Sequence, residues 1–198
     1  MIKVLFVSFE SLPFVKTGGL ADVVYALPKA LDRSEFDVKV VMPMFKSVKE
    51  NYYEGMKFLD HIYVRSGFIN EEANIYSYIN EGVEYLFIEN DTYFNRDGVY
   101  GYGDDAARFS FFNVAVLEMM IKTDNYPDIC HEHDYHTAVL PALCKLRYNA
   151  IEKIRNIKHI LTIHNLAYQG EYDKQVLFDY PAALCARRPC GKHVFLLP

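Results

Sequence analysis

The sequence predicts an α/β fold: an open, doubly wound parallel sheet with an inserted antiparallel hairpin. Residues 2–9 are nearly continuously apolar and include β-branched side chains, which is typical of a strand covered on both faces. Strand-like and helix-like runs then alternate along much of the chain, the pattern of a parallel sheet with helical crossovers. Residues 57–88 differ, because three strand-like runs follow one another there with only short turn signals between them.

The first structural unit comprises a strand, a helix and a second strand. Residues 20–31 carry apolar side chains at helical spacing, so we expect a helix that Pro28 kinks or shortens. Residues 37–42 form the second strand, which Pro43 closes. This order favours a right-handed parallel crossover.

The loop between that first strand and the first helix contains Gly18 and Gly19, preceded by Lys16. Two glycines at a helix start let backbone N–H groups approach an anion, and the lysine adds an ammonium group. The loop therefore predicts a phosphate or diphosphate site. The spacing matches neither common glycine motif for nucleotides, however, and a simple glycine turn beside a solvated lysine remains an open alternative.

The middle of the chain predicts a hairpin or meander. Its strand-like runs lie at residues 57–68, 73–79 and 83–88, with turn signals at 70–72 and 80–82. The chain then alternates again between loops, helices and strands. We expect an aromatic loop at 90–102, a helix at 104–122, a strand at 128–134, a helix at 135–148 and a strand at 158–163.

Two of these segments carry further expectations. The aromatic loop is either a packed structural loop or a wall of a ligand cleft. The helix at 104–122 has an apolar face that we expect to be buried, formed by Phe109, Phe112, Val116, Met119 and Met120.

Three polar clusters, at residues 10–19, 131–136 and 164–170, lie at predicted strand ends. Ligands of open α/β sheets bind at the carboxyl ends of the strands, so the three clusters together predict a binding site. We expect Asp134 to accept hydrogen bonds from ligand hydroxyls. His164 and Asn165 either donate to an oxygen-rich ligand or hold their own loop through its backbone.

The histidines of residues 131–136 raise the question of a metal site. His131 and His133 share one face of a strand, but their spacing is not that of the H-E-x-x-H motif. No carboxylate-rich or cysteine partner is obvious elsewhere in the sequence. We therefore expect no metal, and we expect the histidines to be partly structural.

Composition narrows the class of protein. A chain of 198 residues with 51% hydrophobic residues is long enough for one domain with a well-buried core. The formal net charge of −5 argues against nucleic-acid binding through phosphate contacts. Neither a signal peptide nor a membrane-crossing run is evident, which makes the cytoplasm the expected location. The four cysteines form no C-x-x-C pair, and we expect Cys130 and Cys144, which lie in apolar contexts, to be reduced and buried.

Residues 16–23 (KTGGLADV), 131–136 (HEHDYH) and 162–170 (TIHNLAYQG) resemble the N-terminal domain of bacterial glycogen synthases, which belong to glycosyltransferase family 5 and are related to plant starch synthases. The resemblance covers about residues 1–180. It implies a Rossmann-like domain, the N-terminal half of a GT-B glycosyltransferase. It further implies glucose transfer from ADP-glucose to the non-reducing end of an α-1,4-glucan, with retention and without a metal or cofactor.

The same resemblance assigns site residues. Lys16, Asp134 and His164 would be catalytic, with Lys16 beside the sugar-nucleotide phosphates. Tyr93, or its neighbour Phe94, would form part of a wall for the acceptor. The complete substrate-binding set would be Glu10, Gly18, Gly19, Asp22, Tyr93 and Asn165.

The chain is shorter than the resembled enzymes. Residues 1–180 correspond to the N-terminal domain, whereas residues 181–198 do not continue the family pattern, and we expect a frame-shifted or disordered tail. We expect a fragment that is inactive alone and whose main interface would be the missing C-terminal domain. The alternative function is a non-catalytic glucan- or nucleotide-binding module derived from the same fold.

Overall fold

The structure, a computed structural model, describes residues 1–173 and 193–195. The strands of this part are β1 Ile2–Val7, β2 Phe36–Pro43, β3 Lys57–Ser66, β4 Ile69–Asn80, β5 Val83–Glu89, β6 Ile129–His133, β7 Lys158–Thr162, β8 Glu171–Asp173 and β9 His193–Phe195. The α-helices are α1 Gly19–Ala30, α2 Lys46–Tyr52, α3 Asp91–Phe94, α4 Asp105–Thr123, α5 Leu140–Leu146 and α6 Glu152–Arg155. The expected tail, residues 181–198, lies outside the described residues except for β9.

The first seven strands form one mixed sheet in the order β3-β4-β5-β2-β1-β6-β7. The strands from β5 to β7 in this order are parallel to one another, whereas β4 is antiparallel to both β3 and β5. The predicted fold class is thus confirmed. The meander is also more closely joined to the sheet than the sequence indicates, because β5 pairs in parallel with β2, as in Val40 opposite Tyr85.

The elements differ from the expectation in several places. Residues 70–72 do not form a turn but lie within β4, and the chain instead reverses at Gly67, whose φ is 58°. The predicted helix at 135–148 is shortened to α5, because residues 135–139 form turns instead. The Thr137 hydroxyl stabilises these turns by donating a hydrogen bond to the carbonyl of His133, at 3.0 Å. Helix α2 was not predicted, since its seven residues are too few for a clear periodic pattern.

Helix α4 and strand β1 form the centre of the core. All five residues predicted for the apolar face of α4 are buried, and so is most of the rest of this helix. Phe9, which follows β1, packs edge-on against Phe109 and Phe112 of α4, with ring centroids 4.9 Å and 5.0 Å away. Such aromatic packing fixes where the chain leaves β1, and therefore where the loop that contains Gly18 begins.

Pro28 does not prevent α1 from forming. It lies inside the helix, which ends two residues later at Ala30, so the expected shortening fits its position. Among the described residues, no helix combines the length and apolar character that a membrane span needs.

Candidate functional site

A cleft lies at the carboxyl ends of β1, β6 and β7, beside the start of α1, and has a volume of about 620 Å³. Its position is the one predicted for ligands of an open α/β sheet. All three polar clusters contribute to it. The residues of the predicted site that line it are Glu10, Gly18, Gly19, Asp134, His164 and Asn165.

Glu10 anchors the glycine loop. Its buried carboxylate accepts hydrogen bonds from the backbone amides of Thr17 and Gly18, from the Thr17 hydroxyl at 2.7 Å and from the Tyr100 phenol at 2.8 Å. The anion held by the amides of Thr17 and Gly18 is thus the carboxylate of the protein itself. The N–H groups of the first turn of α1 remain as the backbone donors that a bound anion can use.

Gly18 and Gly19 leave open space on the cleft side of this loop. A Cβ atom built on either residue meets no atom of the described residues within 4 Å, and Gly18 has an extended backbone, with φ −151°, that any residue can adopt. Neither packing nor backbone conformation therefore requires glycine at position 18. The absence of side chains here favours the prediction of close ligand approach over that of a simple turn.

Lys16 and Asp22 form an ion pair. The Lys16 ammonium lies 2.7 Å and 2.8 Å from the two carboxylate oxygens of Asp22. Both side chains are about half exposed, and neither lines the cleft, although Lys16 adjoins Thr17, which does. An ion pair this exposed contributes roughly 0–1 kcal/mol, so separating the two side chains costs little.

Asp134 joins the ends of β6 and β7. It has a left-handed backbone conformation, with φ 61°, and is buried. Its amide donates to the carbonyl of Thr162 at 2.9 Å, and its Oδ1 accepts the amide of His164 at 2.7 Å. These contacts place the carboxylate of Asp134 and the imidazole of His164 at the same edge of the cleft.

The His164 ring is oriented by a second histidine. Nδ1 of His133 lies 2.8 Å from Nε2 of His164, and the rings stack with centroids 5.2 Å apart. Burial, with repulsion from His131 and His164, lowers the pKa of His133 to about 2, so the ring is neutral. Because Nε2 of His133 is buried and has no partner among the described residues, the lower-energy tautomer carries its proton on Nδ1. His133 then donates to His164, which leaves Nδ1–H of His164 as a donor for a ligand.

Asn165 stabilises its own loop. Its Oδ1 accepts the amide of Ala167 at 2.9 Å, and its carbonyl accepts the amide of Tyr168 at 3.2 Å. The side-chain oxygen of Asn165 therefore stabilises its own loop, which was one of the two predicted alternatives. The rest of the residue still lines the cleft.

Tyr93 lies apart from the cleft in this structure. Its ring packs against Phe111, with centroids 4.8 Å apart, and its carbonyl accepts a hydrogen bond from Nε of Arg108. The aromatic side chain of this loop that does line the cleft is Tyr100, which stacks on His136 with centroids 4.7 Å apart. The assignment of Tyr93 to the acceptor wall stays a prediction.

Seven further residues line the cleft that the sequence analysis did not assign individually: Thr17, Tyr135, His136 and Tyr168, which lie within the three predicted clusters, and Leu20, Val23 and Tyr100, which lie outside them. Tyr100 carried a signal, because it belongs to the loop that was predicted as a possible wall. Arg108 holds this loop in place: its buried guanidinium donates to the carbonyl of Val99 at 2.8 Å and to Asp105 at 2.6 Å. A buried arginine cannot be identified from spacing alone, since most arginines are exposed.

The histidines of residues 131–136 are engaged in contacts within the protein. Nε2 of His131 lies 2.7 Å from the Thr162 hydroxyl, and Nδ1 of His133 is bonded to His164. His136 is buried between aromatic rings. The expectation that these residues are partly structural is consistent with this packing, and the absence of a catalytic metal stays a prediction.

Comparison with known proteins connects this cleft to a family. The family model described as the starch synthase catalytic domain matches residues 3–188. A glycogen synthase of Clostridioides difficile is 44% identical over 182 residues, which cover 90% of this chain and 38% of that protein. One of Caldicellulosiruptor saccharolyticus is 47% identical over 179 residues, with 90% and 37% coverage.

A solved structure agrees with these sequences. The catalytic domain of Starch Synthase IV from Arabidopsis thaliana, bound to ADP and acarbose, superimposes with a TM-score of 0.85 at 28% identity, covering 98% of this chain and 42% of that one. The Rossmann-like sheet is thus one half of a GT-B fold, and the chain spans less than two fifths of the length of the curated relatives named above. The chain belongs to the starch synthase catalytic domain family, which it shares with the glycogen synthases.

Proposed function

We propose that this chain forms the acceptor-side half of the active site of a glycogen synthase, which transfers glucose from ADP-glucose to the non-reducing end of an α-1,4-glucan with retention. The observation that carries the proposal is the convergence of the glycine loop, Asp134 and His164 on one cleft in a member of this family. The solved relative holds ADP and acarbose, a nucleotide and a sugar-like ligand, which is the combination that this reaction needs.

The cleft supplies groups for both parts of the substrate. The open backbone at Gly18 and Gly19, the start of α1 and the ammonium of Lys16 suit the diphosphate, on which negative charge builds as it leaves. Asp134 and Nδ1–H of His164 suit sugar hydroxyls, because one accepts and the other donates. Positive charge that develops on the transferred sugar carbon is stabilised by nearby carboxylate and carbonyl oxygens. Positioning by preformed groups of this kind needs no cofactor.

A chimeric enzyme tests the proposal. Residues 1–170 of this chain would replace the corresponding segment of the Clostridioides difficile glycogen synthase, to which the chain is 44% identical. We expect the chimera to incorporate labelled glucose from ADP-glucose into glycogen. His164→Ala should reduce this rate by roughly 100-fold or more, as loss of a positioned donor does.

His61→Ala is the matched control for that variant. His61 is a half-exposed histidine on β3, outside the residues that line the cleft, so its loss should leave the rate unchanged. A folded chimera that binds glucan but transfers no glucose would instead support the non-catalytic binding module. Equal losses in the two histidine variants would exclude a specific role for His164.

A further inference from the structure

A second cluster of chemistry-bearing side chains lies on the other face of β6. Side chains alternate along a strand, so Cys130 and Glu132 point away from the face that carries His131 and His133. In the parallel pairing of β6 with β7, Cys130 is opposite His159, which places those two side chains on the same face. Sequence reasoning did not find this cluster, because its members come from two strands and match no ligand spacing.

The three side chains bring their ligand atoms together. The thiol of Cys130, a carboxylate oxygen of Glu132 and a ring nitrogen of His159 all lie within 4.8 Å of one another. Tetrahedral zinc sets its ligand atoms about 3.5 Å apart, so small side-chain rotations would bring these three into place, and a water molecule would take the fourth position. Cys130 and Glu132 are fully buried, whereas the side chain of His159 is 15% exposed and gives an ion a path from solvent.

Within the described residues, only one oxygen of the Glu132 carboxylate has a side-chain hydrogen-bond partner. Its Oε1 lies 2.6 Å from Nδ1 of His159, but its Oε2 is buried and has no hydrogen-bond partner within the part of the chain that the structure describes. Burial raises the pKa of this carboxyl, and the contact with His159 offsets part of the effect. A buried carboxylate oxygen without a partner is costly, and cation coordination is one way to remove that cost.

We propose that Cys130, Glu132 and His159 bind one divalent cation of the zinc class, which ties β6 to β7 on the face opposite the cleft histidines. Binding displaces the thiol proton of Cys130 and the proton between His159 and Glu132, and both protons pass to solvent. One thiolate, one carboxylate and a neutral imidazole then balance the +2 charge of the ion, which a buried site requires. The mixed sulfur, nitrogen and oxygen ligands favour zinc over magnesium or calcium.

The test is a metal titration of the purified chain under reducing conditions, with Cys185→Ser and Cys190→Ser as the background. Co²⁺ serves as the spectroscopic probe, and Zn²⁺ then displaces it. We expect one equivalent of Co²⁺ to produce a thiolate-to-cobalt charge-transfer band and tetrahedral visible bands, both removed by one equivalent of Zn²⁺. The temperature of unfolding should rise with Zn²⁺ and fall again with a chelator, because the ion binds the folded state.

Variants assign the ligands. Cys130→Ser should abolish the charge-transfer band, and His159→Asn should weaken Co²⁺ binding by roughly 100-fold while keeping the fold, since His159 is partly exposed. Cys144→Ser is the matched control, because Cys144 is a second buried free thiol but is not among the three clustered residues. The proposal is overturned if no band forms, if the band survives Cys130→Ser, or if Cys144→Ser abolishes it equally.

Discussion

Glu10 shows how one side chain can set the shape of the glycine loop. It connects the end of β1, the start of α1 and the aromatic loop through four donors, two of them backbone amides. A carboxylate can accept from all of them, whereas a carboxamide presents an N–H group to some of the same donors.

We predict that Glu10→Gln loosens this loop without unfolding the chain. The amides of Thr17 and Gly18 should exchange hydrogen at least roughly tenfold faster, equivalent to about 1.4 kcal/mol of lost local stability. Residue-resolved hydrogen exchange measures this. Glu84→Gln is the control, because Glu84 pairs with Lys39 on the neighbouring strands and should not alter exchange at Thr17. Unchanged exchange in Glu10→Gln would show that the loop is held by other contacts.

Lys16 is paired with Asp22 but adjoins the cleft, so the catalytic role proposed for it can be tested separately from its effect on folding. In the chimeric enzyme, Lys16→Ala should lower kcat by about tenfold or more, because an ammonium that approaches the leaving diphosphate is lost. The temperature of unfolding should change little, since the ion pair is half exposed.

Lys46→Ala provides the comparison for that experiment. Lys46 forms an equally short ion pair with Asp97, at 2.7 Å, and is similarly exposed, but unlike Lys16 it does not adjoin a residue that lines the cleft. Its loss should leave glucose transfer unchanged. An unchanged rate in Lys16→Ala would remove Lys16 from the site.

The burial of His136 leads us to predict that the folded chain loses stability in acid. Burial, followed by the charge of Arg108, lowers its pKa to about 3, whereas an unfolded histidine has a pKa of about 6.5. The unfolded state therefore binds the proton more tightly, and stability falls as pH drops from about 6.5 towards 3. His136→Phe keeps a ring between Phe9 and Tyr100 and removes this titration.

Denaturant unfolding at two pH values measures the effect. Between pH 7 and pH 5, His136→Phe should lose about 2 kcal/mol less free energy of unfolding than the unsubstituted chain. If both proteins lose the same amount, His136 is not a source of the acid sensitivity.

At the residue scale, the position of the cleft could be predicted from the sequence, but the contacts between its side chains could not. Glu10, Asp134 and His164 could be placed, because polar residues after apolar strands mark the carboxyl edge of a sheet. The pairing of Lys16 with Asp22 could not, because it depends on side-chain directions around the first turn of α1. The buried partnership of His133 with His164 was missed for a similar reason, since it joins two strands that are neighbours only in the folded sheet.

At the scale of elements, the turn between β4 and β5 is tightly defined. Glu81 and Gly82 both have positive φ, 49° and 79°, and Arg33 donates to both of their carbonyls. A Cβ on Gly82 would lie 2.4 Å from Nη1 of Arg33. The positive φ of Gly82 is therefore what favours glycine here, because the exposed side chain of Arg33 can move away from a Cβ atom.

Gly82→Ala should accordingly lower the free energy of unfolding by about 1–2 kcal/mol, measured by urea denaturation. Gly103→Ala is the matched control, because a Cβ at position 103 meets no atom within 4 Å, and its φ is not in the left-handed region. The control should stay within about 0.5 kcal/mol of the unsubstituted chain. Equal effects of the two substitutions would contradict this account of the turn.

The periodicity of apolar residues predicted the long helices and strands but not the short ones. Strand β1 and helices α1 and α4 were predicted because their apolar patterns are strong. The polar residues 70–72 suggested a turn. Strand β4 accommodates them because one of its two faces is less buried than the other, as the alternation of buried and exposed residues shows. The parallel pairing of β5 with β2 has no local signature, since a strand pattern does not identify its neighbour.

At the scale of the whole molecule, the charge of the cleft limits what this chain can do alone. Among the described residues, those that line the cleft include the acids Glu10 and Asp134 but no lysine or arginine. A departing nucleoside diphosphate carries negative charge that preorganised cations must stabilise. In the proposed reaction Lys16, beside the cleft, would be one such group, and further cations would have to come from outside the described residues.

We therefore predict that the 198-residue chain does not transfer glucose by itself. Incubation with labelled ADP-glucose and glycogen should give no incorporation above a protein-free blank, whereas the chimera, tested in parallel at the same concentration, should be active. The isolated chain should also bind acarbose more readily than ADP, because its cleft offers donors and acceptors for hydroxyls but few cations for phosphates. Calorimetric titration with each ligand checks this order of affinity. Robust glucose incorporation by the chain alone would show that the described cleft already contains enough charge to release the diphosphate.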